Sequence, residues 1–163
     1  MTTLERNRTA ATSDATSQLS IQAVLIRMKN EYYALPVVSI REIMRHRAYT
    51  PVPGAPPTLP GIISQRGTIL PVVELRLLLG FEAKELTSSA RYIMVQHNDI
   101  DMALTIEAVL DLIELPEAMI EPPPSALEPT RAALLRGIIQ HEERLIAVLD
   151  LDAIIARLRE EAH

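Results

Sequence analysis

The sequence contains no cysteine and no tryptophan, and aromatic residues make up only 3% of it. The lack of cysteine excludes disulfides, thiol catalysis and thiolate metal sites, so nothing indicates an oxidising compartment. Acidic residues outnumber basic ones: the sequence has 21 Asp and Glu and 16 Lys and Arg, which gives a net charge of −5. Nucleic-acid binders usually carry a basic surface and stack bases on aromatic rings. We therefore expect no nucleic-acid partner.

No apolar run in the sequence approaches the roughly 18 residues that a transmembrane helix requires. The first residues, MTTLERNRTAATSDATSQ, also lack the apolar segment of a secretory signal peptide. We therefore expect a soluble cytoplasmic protein that does not insert into the membrane directly. Hydrophobic residues nevertheless make up 48% of the 163 residues, which is enough for a sizeable core.

Motifs for catalysis and ligand binding are missing as well. No GxGxxG, Walker A, HExxH or GxSxG pattern occurs. The histidines fall in predicted turns or at the chain end, without the spacing of metal ligands: His46, His97, His141 and His163. We predict no cofactor, no metal site and no catalytic residue. An enzyme with an unrecognised carboxylate site stays open as an alternative, which turnover assays would test.

The chain does contain an internal repeat, organised around the stretch Leu59–Leu79 with its two short β-rich runs and a turn between them. Placing Gly61 on Gly137 aligns this stretch with the C-terminal region without a gap. Placing Tyr33 on Met102 aligns two segments further upstream in the same way. The sequence therefore predicts two copies of one unit of roughly 70 residues.

Within the copies, short β-like runs alternate with turns. Ile21–Met28 and Tyr32–Val38 predict a hairpin. Ser39–Met44 is either a further strand or one helical turn, because periodicity does not decide at that length. Two proline-rich connections, His46–Pro60 and Pro116–Pro129, occupy the same place in both copies and should be extended.

These elements predict a mostly β fold made of two small β-barrels packed together. The barrels span about 21–81 and 91–150, with strand exchange between them left open, inside a globular region of residues 20–158. An amphipathic helix over 151–162 ends the chain, because its apolar residues recur at helical spacing. Residues 1–19 are polar and aperiodic, and we predict that they form a disordered tail.

Four residues are candidates for a function beyond packing: Glu42, Gly61, Arg66 and Gly67. For any one of them, a solvated surface charge or a turn glycine is an equally good interpretation. The corresponding residues of the second copy are Asp111, Gly137, Glu142 and Glu143. Because the second copy has lost the Arg-Gly step, we expect the two copies to differ in role at that corner. We hypothesise a Glu42–Arg66 ion pair, and we predict that Gly67 needs a positive φ or a closely approaching partner.

At these residues the sequence resembles the CheW-like adaptor family of bacterial chemotaxis. The resemblance covers about Ile21 to Leu158. The motifs that carry it are YALPVVSIREI (Tyr33–Ile43), TPVPGAPPTLPGIISQRGTILPVVELR (Thr50–Arg76) and RLIAVLDLDAII (Arg144–Ile155). The sequence departs from the usual pattern in three places: Ile63-Ser64-Gln65 stands for Val-Asn-Leu, and Glu74 and Glu107 each stand for an aspartate. These departures bear on the detailed choice of partner.

The resemblance implies two five-stranded SH3-like β-barrels on a shared core and a non-enzymatic scaffold. It implies that this scaffold couples the cytoplasmic tips of methyl-accepting chemoreceptors to the regulatory domain of the histidine kinase CheA, in receptor arrays at the inner membrane face. The partner-binding residues that it implies are Glu42, Arg66, Gly67, Tyr49, Ile40, Ile43, Gly61 and Val109. An adaptor of a non-flagellar pathway, such as twitching or surface sensing, is the alternative, and gene neighbourhood would separate the two.

Overall fold

The computed structural model describes residues 19–161. The disordered tail predicted for 1–19 therefore lies outside the described residues, apart from Leu19. Within the described range the strands are β1 Ser20–Met28, β2 Glu31–Pro36, β3 Ile40–Arg45, β4 Thr50–Pro51, β5 Gly61–Gln65, β6 Thr68–Val73, β7 Arg91–His97, β8 Ile100–Ile106, β9 Ala108–Pro116, β10 Leu135–His141 and β11 Arg144–Leu149. The helices are α1 Leu75–Leu78, α2 Pro129–Ala132 and α3 Leu151–Glu161, and 3-10 turns cover Val37–Ser39 and Glu117–Met119.

The strands form two sheets, and the predicted mostly β architecture with a C-terminal helix is confirmed. One sheet has the order β10-β11-β2-β1-β9, and the other has the order β3-β7-β8-β6-β5-β4. The segment that was either a strand or a helical turn is a 3-10 turn followed by the strand β3. No helix in the part of the chain that the structure describes is both long and apolar enough to cross a membrane.

Each sheet takes a hairpin from the other half of the chain. The hairpin β1–β2, from the N-terminal half, pairs with β9 on one side and with β11 on the other. The hairpin β7–β8, from the C-terminal half, lies between β3 and β6. The sequence division at about 21–81 and 91–150 thus separates the two copies of the repeat, whereas each sheet contains strands of both copies.

The strand pairings of the two sheets repeat each other. The hairpin pair Ile26↔Tyr33 has its counterpart in Val95↔Met102, at the shift read from the sequence. The parallel pair Val72↔Ala103 has its counterpart in Val148↔Ala34 in the same way. The short strand β4 makes one sheet six-stranded, and an isolated bridge between Glu121 and Ile138 stands in its place on the other sheet.

The exchanged hairpins are buried on both faces, which explains why they have continuous apolar runs rather than an alternating pattern. In β1, Ala23 and Leu25 pack into a cluster made only by the strands of their own sheet. Val24 and Ile26 face the opposite way, into a larger cluster that both sheets share with α1 and α3. Burial of each such aliphatic side chain contributes about 1.5–3 kcal/mol, so the shared cluster holds the two sheets together.

Gly61 and Gly137, the glycines that reveal the repeat, lie where a connecting segment crosses a strand at close range. A Cβ on Gly61 would lie 2.2 Å from the carbonyl oxygen of Thr50 and 2.4 Å from a ring carbon of Tyr49. A Cβ on Gly137 would lie 2.3 Å from the carbonyl oxygen of Glu121. Both copies therefore need a residue without a side chain at this point.

We expect Gly137→Ala to lower the free energy of unfolding by about 1–3 kcal/mol or more, because the new methyl group overlaps a backbone oxygen. Urea denaturation measures the change. Gly54→Ala is the matched control, since its Cβ would meet no atom within 4 Å and only the φ of +77° is unfavourable. Equal losses in the two variants would contradict the role given to the close crossing at Gly137.

Candidate functional site

The Arg66-Gly67 corner is a tight two-residue turn between β5 and β6. Both residues have positive φ, 52° at Arg66 and 80° at Gly67, as a type I′ hairpin turn requires. The positive φ predicted for Gly67 is thus observed. A Cβ on Gly67 would meet no atom within 4 Å, so the backbone conformation is what favours glycine at this position.

The hypothesised pair between Glu42 and Arg66 is present at this corner. The Arg66 Nη2 atom lies 3.3 Å from Oε1 of Glu42, and Gln65 Nε2 donates to the same oxygen at 3.3 Å. Arg47 extends the network, because its Nη1 atom donates to Gln65 Oε1 at 3.2 Å. Glu42 is on β3, at one edge of the sheet, and Gln65 is on β5, the second strand from the other edge. These contacts therefore bring the two sides of the sheet together and curl it towards closure.

The solvent exposure of the two side chains determines how much the Glu42–Arg66 pair contributes to the stability of the fold. The side chain of Arg66 is 80% exposed and that of Glu42 is 26% exposed. Exposed ion pairs contribute well under about 1 kcal/mol to stability, because water screens the charges and the side chains lose conformational freedom. The pair is therefore a weak stabiliser of the fold, and its guanidinium is accessible to a partner.

The second copy forms the same turn without glycine. Glu142 and Glu143 have φ values of 48° and 66°, in a conformation that non-glycine residues rarely adopt. Asp111, the counterpart of Glu42, accepts a hydrogen bond from the backbone amide of Leu112 at 2.8 Å. Among residues 19–161, no ion pair joins Asp111 to this turn. The two corners thus share a backbone shape and differ in chemistry, as the sequence predicted.

The chain passes between the sheets at two places that are also counterparts in the repeat. One is the turn Val37–Ser39, between β2 and β3, and the other is Glu107, between β8 and β9. At the first crossing Val38 is 84% exposed, beside a cleft of about 430 Å³ lined also by Ile21 and Pro36. We call this first crossing, with its exposed apolar neighbours, the open crossing.

The second crossing is closed by buried charges. Arg76, only 4% exposed, contacts both carboxylate oxygens of Glu74, with Nε–Oε1 at 2.8 Å and Nη2–Oε2 at 3.0 Å. Its Nη1 atom lies 3.6 Å from Glu107 Oε2, and Glu107 Oε1 accepts from the amide of Lys29 at 2.7 Å. The hydrogen bonds to Glu74 raise the pKa of Arg76, so its buried guanidinium stays charged.

Both departures from the family's usual aspartate, Glu74 and Glu107, are thus partners of the same buried arginine. A glutamate side chain is one methylene longer than an aspartate, which changes its reach towards the guanidinium. In the sequence the two positions are 33 residues apart, and no local pattern connects them. Glu74 follows β6 and Glu107 lies between β8 and β9, and only folding brings both side chains to Arg76.

Further aliphatic side chains are exposed on β3, which follows the open crossing, and on β9, which follows the second crossing. On β9, Leu110 is 42% and Leu112 is 62% exposed, and on β3, Ile43 is 41% exposed. The partly buried residues Ile40 and Val109 lie on the same two strands and pack against the shared core. Exposed apolar surface of this kind is typical of interaction sites, so the open crossing is the candidate docking surface.

The predicted site residues fall into three groups. Glu42, Arg66 and Gly67 form one corner, to which the structure adds Gln65 and Arg47. Tyr49 is 36% exposed and lies against the buried Gly61. Ile40, Ile43 and Val109 form the third group: Ile40 and Ile43 lie on β3, directly after the open crossing, whereas Val109 lies on β9, two residues after Glu107 of the second crossing. Sequence reasoning missed Val38, although its place between two strands with an apolar side chain was a signal. Within the described residues, no group of His, Asp and Glu side chains is placed to hold a metal ion.

We expect Glu143→Gly to raise the free energy of unfolding by about 1 kcal/mol, because glycine relieves the unfavourable positive φ. Thermal and urea denaturation measure the change. Gly67→Glu is the reciprocal control and should lower stability by a similar amount. If Glu143→Gly leaves stability unchanged, the glutamate turn is not strained.

Comparisons with known proteins give one consistent result. The family model described as "CheW-like domain" matches residues 22–159. The chain is 28% identical to the chemotaxis protein CheW of Helicobacter pylori, over 94% of this chain and 92% of that protein. It is 27% identical to the chemotaxis protein CheW of Bacillus subtilis, over 81% and 85%.

Two further matches bear on structure and pathway. The crystal structure of the scaffolding protein TtCheW from Thermoanaerobacter tengcongensis superposes with a TM-score of 0.74 at 28% identity, over 82% of this chain and 86% of that one. Protein PilI of Pseudomonas aeruginosa is 25% identical, over 72% of this chain and 66% of that protein.

Proposed function

The chain belongs to the CheW-like family, and we propose that it is a non-enzymatic scaffold of bacterial chemotaxis signalling. In this role it couples the cytoplasmic tips of chemoreceptors to the regulatory domain of the histidine kinase CheA, in the cytoplasm and next to receptor arrays. The observation that carries the proposal is the family match over residues 22–159, which includes both the Arg-Gly corner and the open crossing.

The open crossing suits a helical receptor tip. A helix that docks on a protein inserts apolar side chains from one face into an apolar surface. Val38 offers such a surface, since it is 84% exposed beside the cleft that Ile21 and Pro36 also line. Transfer of these side chains out of water on binding would supply affinity, at about 25 cal/mol per Å² of apolar area. The closed crossing offers no equivalent, because Glu107 and Arg76 occupy it.

The Glu42–Arg66 corner suits a contact that sets orientation. Exposed charges at the edge of an interface change association rate and specificity more than affinity. Glu42 also accepts from Gln65, so the carboxylate stays fixed if Arg66 turns towards a partner. A partner carboxylate near Arg66 would find an exposed guanidinium on a turn whose backbone is already ordered.

The match to Protein PilI supports a second candidate pathway. The similarity is weaker and covers less of both chains than the matches to CheW proteins. The mechanism would be the same, with an adaptor that joins receptor and kinase, but the pathway would be a non-flagellar one such as twitching or surface sensing. The neighbouring genes distinguish the two candidates.

We expect Arg66→Ala to weaken retention of the cognate kinase and receptor tip in a pull-down while leaving folding nearly unchanged. A double-mutant cycle with Glu42→Ala should show a coupling of less than about 1 kcal/mol in unfolding free energy. Arg136→Ala is the matched control, because Arg136 forms an exposed pair with Glu117 on the other sheet. Equal retention of partners by both variants would remove the corner from the binding surface.

We expect Val38→Asp to weaken binding of the receptor tip by about tenfold or more, because a charge replaces a side chain that the partner would bury. Isothermal titration calorimetry with a receptor-tip fragment measures the affinity. Val52→Asp is the control, since Val52 is exposed and lies in the proline-rich connection away from this crossing. Unchanged affinity for Val38→Asp would contradict the open crossing as the docking surface.

A further inference from the structure

The repeat produces two equivalent grooves, of which one is filled by the chain itself. The filled groove has walls from Leu59, Pro71, Ile100 and Met102. The last turns of α3 close it with Ile155, Leu158 and Arg159, which leaves a space of about 200 Å³. Ile155 and Leu158 are nearly buried there, so the groove accepts an amphipathic helix through side chains three positions apart.

The other groove has the corresponding walls but no helix of this kind. Its walls include Leu135, Ala147, Glu31 and Tyr33, which are the counterparts of the four wall residues of the filled groove at the shifts set by the repeat. It has a volume of about 550 Å³, and Leu145 at its edge is 57% exposed. We call it the open groove.

The open groove lacks its helix because α1 stops early. The counterparts of Ile155 and Leu158 are Leu79 and Glu82, yet α1 ends at Leu78 and Gly80 follows with a φ of +88°. α3 continues to Glu161.

Arg131 holds the end of α1 in place. Its Nε atom donates to the carbonyl oxygen of Leu79 at 2.9 Å, and its Nη1 atom lies 3.3 Å from Glu31 Oε2. The guanidinium also lies 4.0 Å from the ring centre of Phe81. These contacts fix the chain where the helix ends. Leu79 is buried in the shared core, and neither Leu79 nor Glu82 lines the open groove, which Leu127 and Arg131 line instead.

The edges of the two grooves differ in charge. The strands β8 and β6, which contribute walls to the filled groove, carry Asp101 and Thr68 at the positions that Tyr32 and Arg144 occupy in the lining of the open groove. The Arg144 guanidinium lies 4.8 Å over the Tyr32 ring, and it has no ion-pair partner among residues 19–161. Glu143 also lines the open groove, so the preference for an acidic ligand is modest.

We propose that the open groove binds an amphipathic helix of a partner protein. The helix presents aliphatic side chains at positions i and i+3, as α3 does in the filled groove, and carries an acidic residue where α3 has Arg159. The apolar contacts of α3 in the filled groove indicate the aliphatic side chains that the partner helix must carry, and Arg144 indicates an acidic residue beside them. This docking surface does not depend on the receptor or kinase contacts proposed above, because it involves neither the Arg-Gly corner nor the open crossing.

The probe is a stapled helical peptide of the α3 sequence from Asp150 to Glu161 with Arg159→Glu, titrated into the full ¹⁵N-labelled chain. We expect saturable amide shifts at Tyr33, Leu135 and Ala147. The same peptide with Ile155→Ser and Leu158→Ser should bind at least about tenfold more weakly, because two buried aliphatic side chains are lost. The peptide that keeps Arg159 should bind a few-fold more weakly than the Glu version.

Leu145→Arg in the protein blocks the groove, and Ile69→Arg, at the corresponding position of the other copy, is the matched control with similar exposure. We expect loss of peptide binding for Leu145→Arg alone. The proposal is overturned if no saturable shift occurs in the open groove, if the shifts appear instead at Leu59 and Met102, or if the two variants bind the peptide equally.

Discussion

The exchange of hairpins between the two sheets is the constraint on which the rest of this structure depends. β1–β2 and β7–β8 each complete a sheet whose other strands come from the opposite copy, and each is buried on both faces. One shared apolar cluster therefore supports both sheets and the helices α1 and α3. The exchange also forces the chain to cross between the sheets twice, and those crossings are where the molecule places its most contrasting surfaces.

Duplication gives each feature in two versions, and in each case the versions have diverged. One crossing exposes Val38, whereas the other buries Arg76 between Glu74 and Glu107. One hairpin corner carries Arg66-Gly67, and the other keeps the same turn with two glutamates. One groove is filled by α3 and the other is open. A binding protein needs apolar or charged surface that its own chain does not cover. In a repeat, one version of a feature can stabilise the fold while the other version stays exposed to a partner.

Much of this architecture could be read from the sequence, because it depends on local pattern and on the register of the repeat. The Gly61 and Gly137 alignment identified a real backbone crossing in each copy, and the Arg-Gly step predicted the positive φ of Gly67. The Glu42–Arg66 pair could also be predicted from the sequence, because the comparison of the two copies singled out both residues. The sequence did not show that Arg66 is exposed, that Arg76 joins Glu74 to Glu107, or that α1 leaves a groove open. Those features depend on segments far apart in the chain.

The hairpin exchange determines when each sheet can form during synthesis on the ribosome. A ribosome releases the stretch around Gly61 well before residues 91–106, which form the second and third strands of the sheet to which that stretch belongs. The N-terminal hairpin likewise has no sheet to join until β9 and β11 have been made. Neither copy can therefore complete its sheet by itself during synthesis, and apolar strands of the nascent chain stay uncovered until β11 has been made.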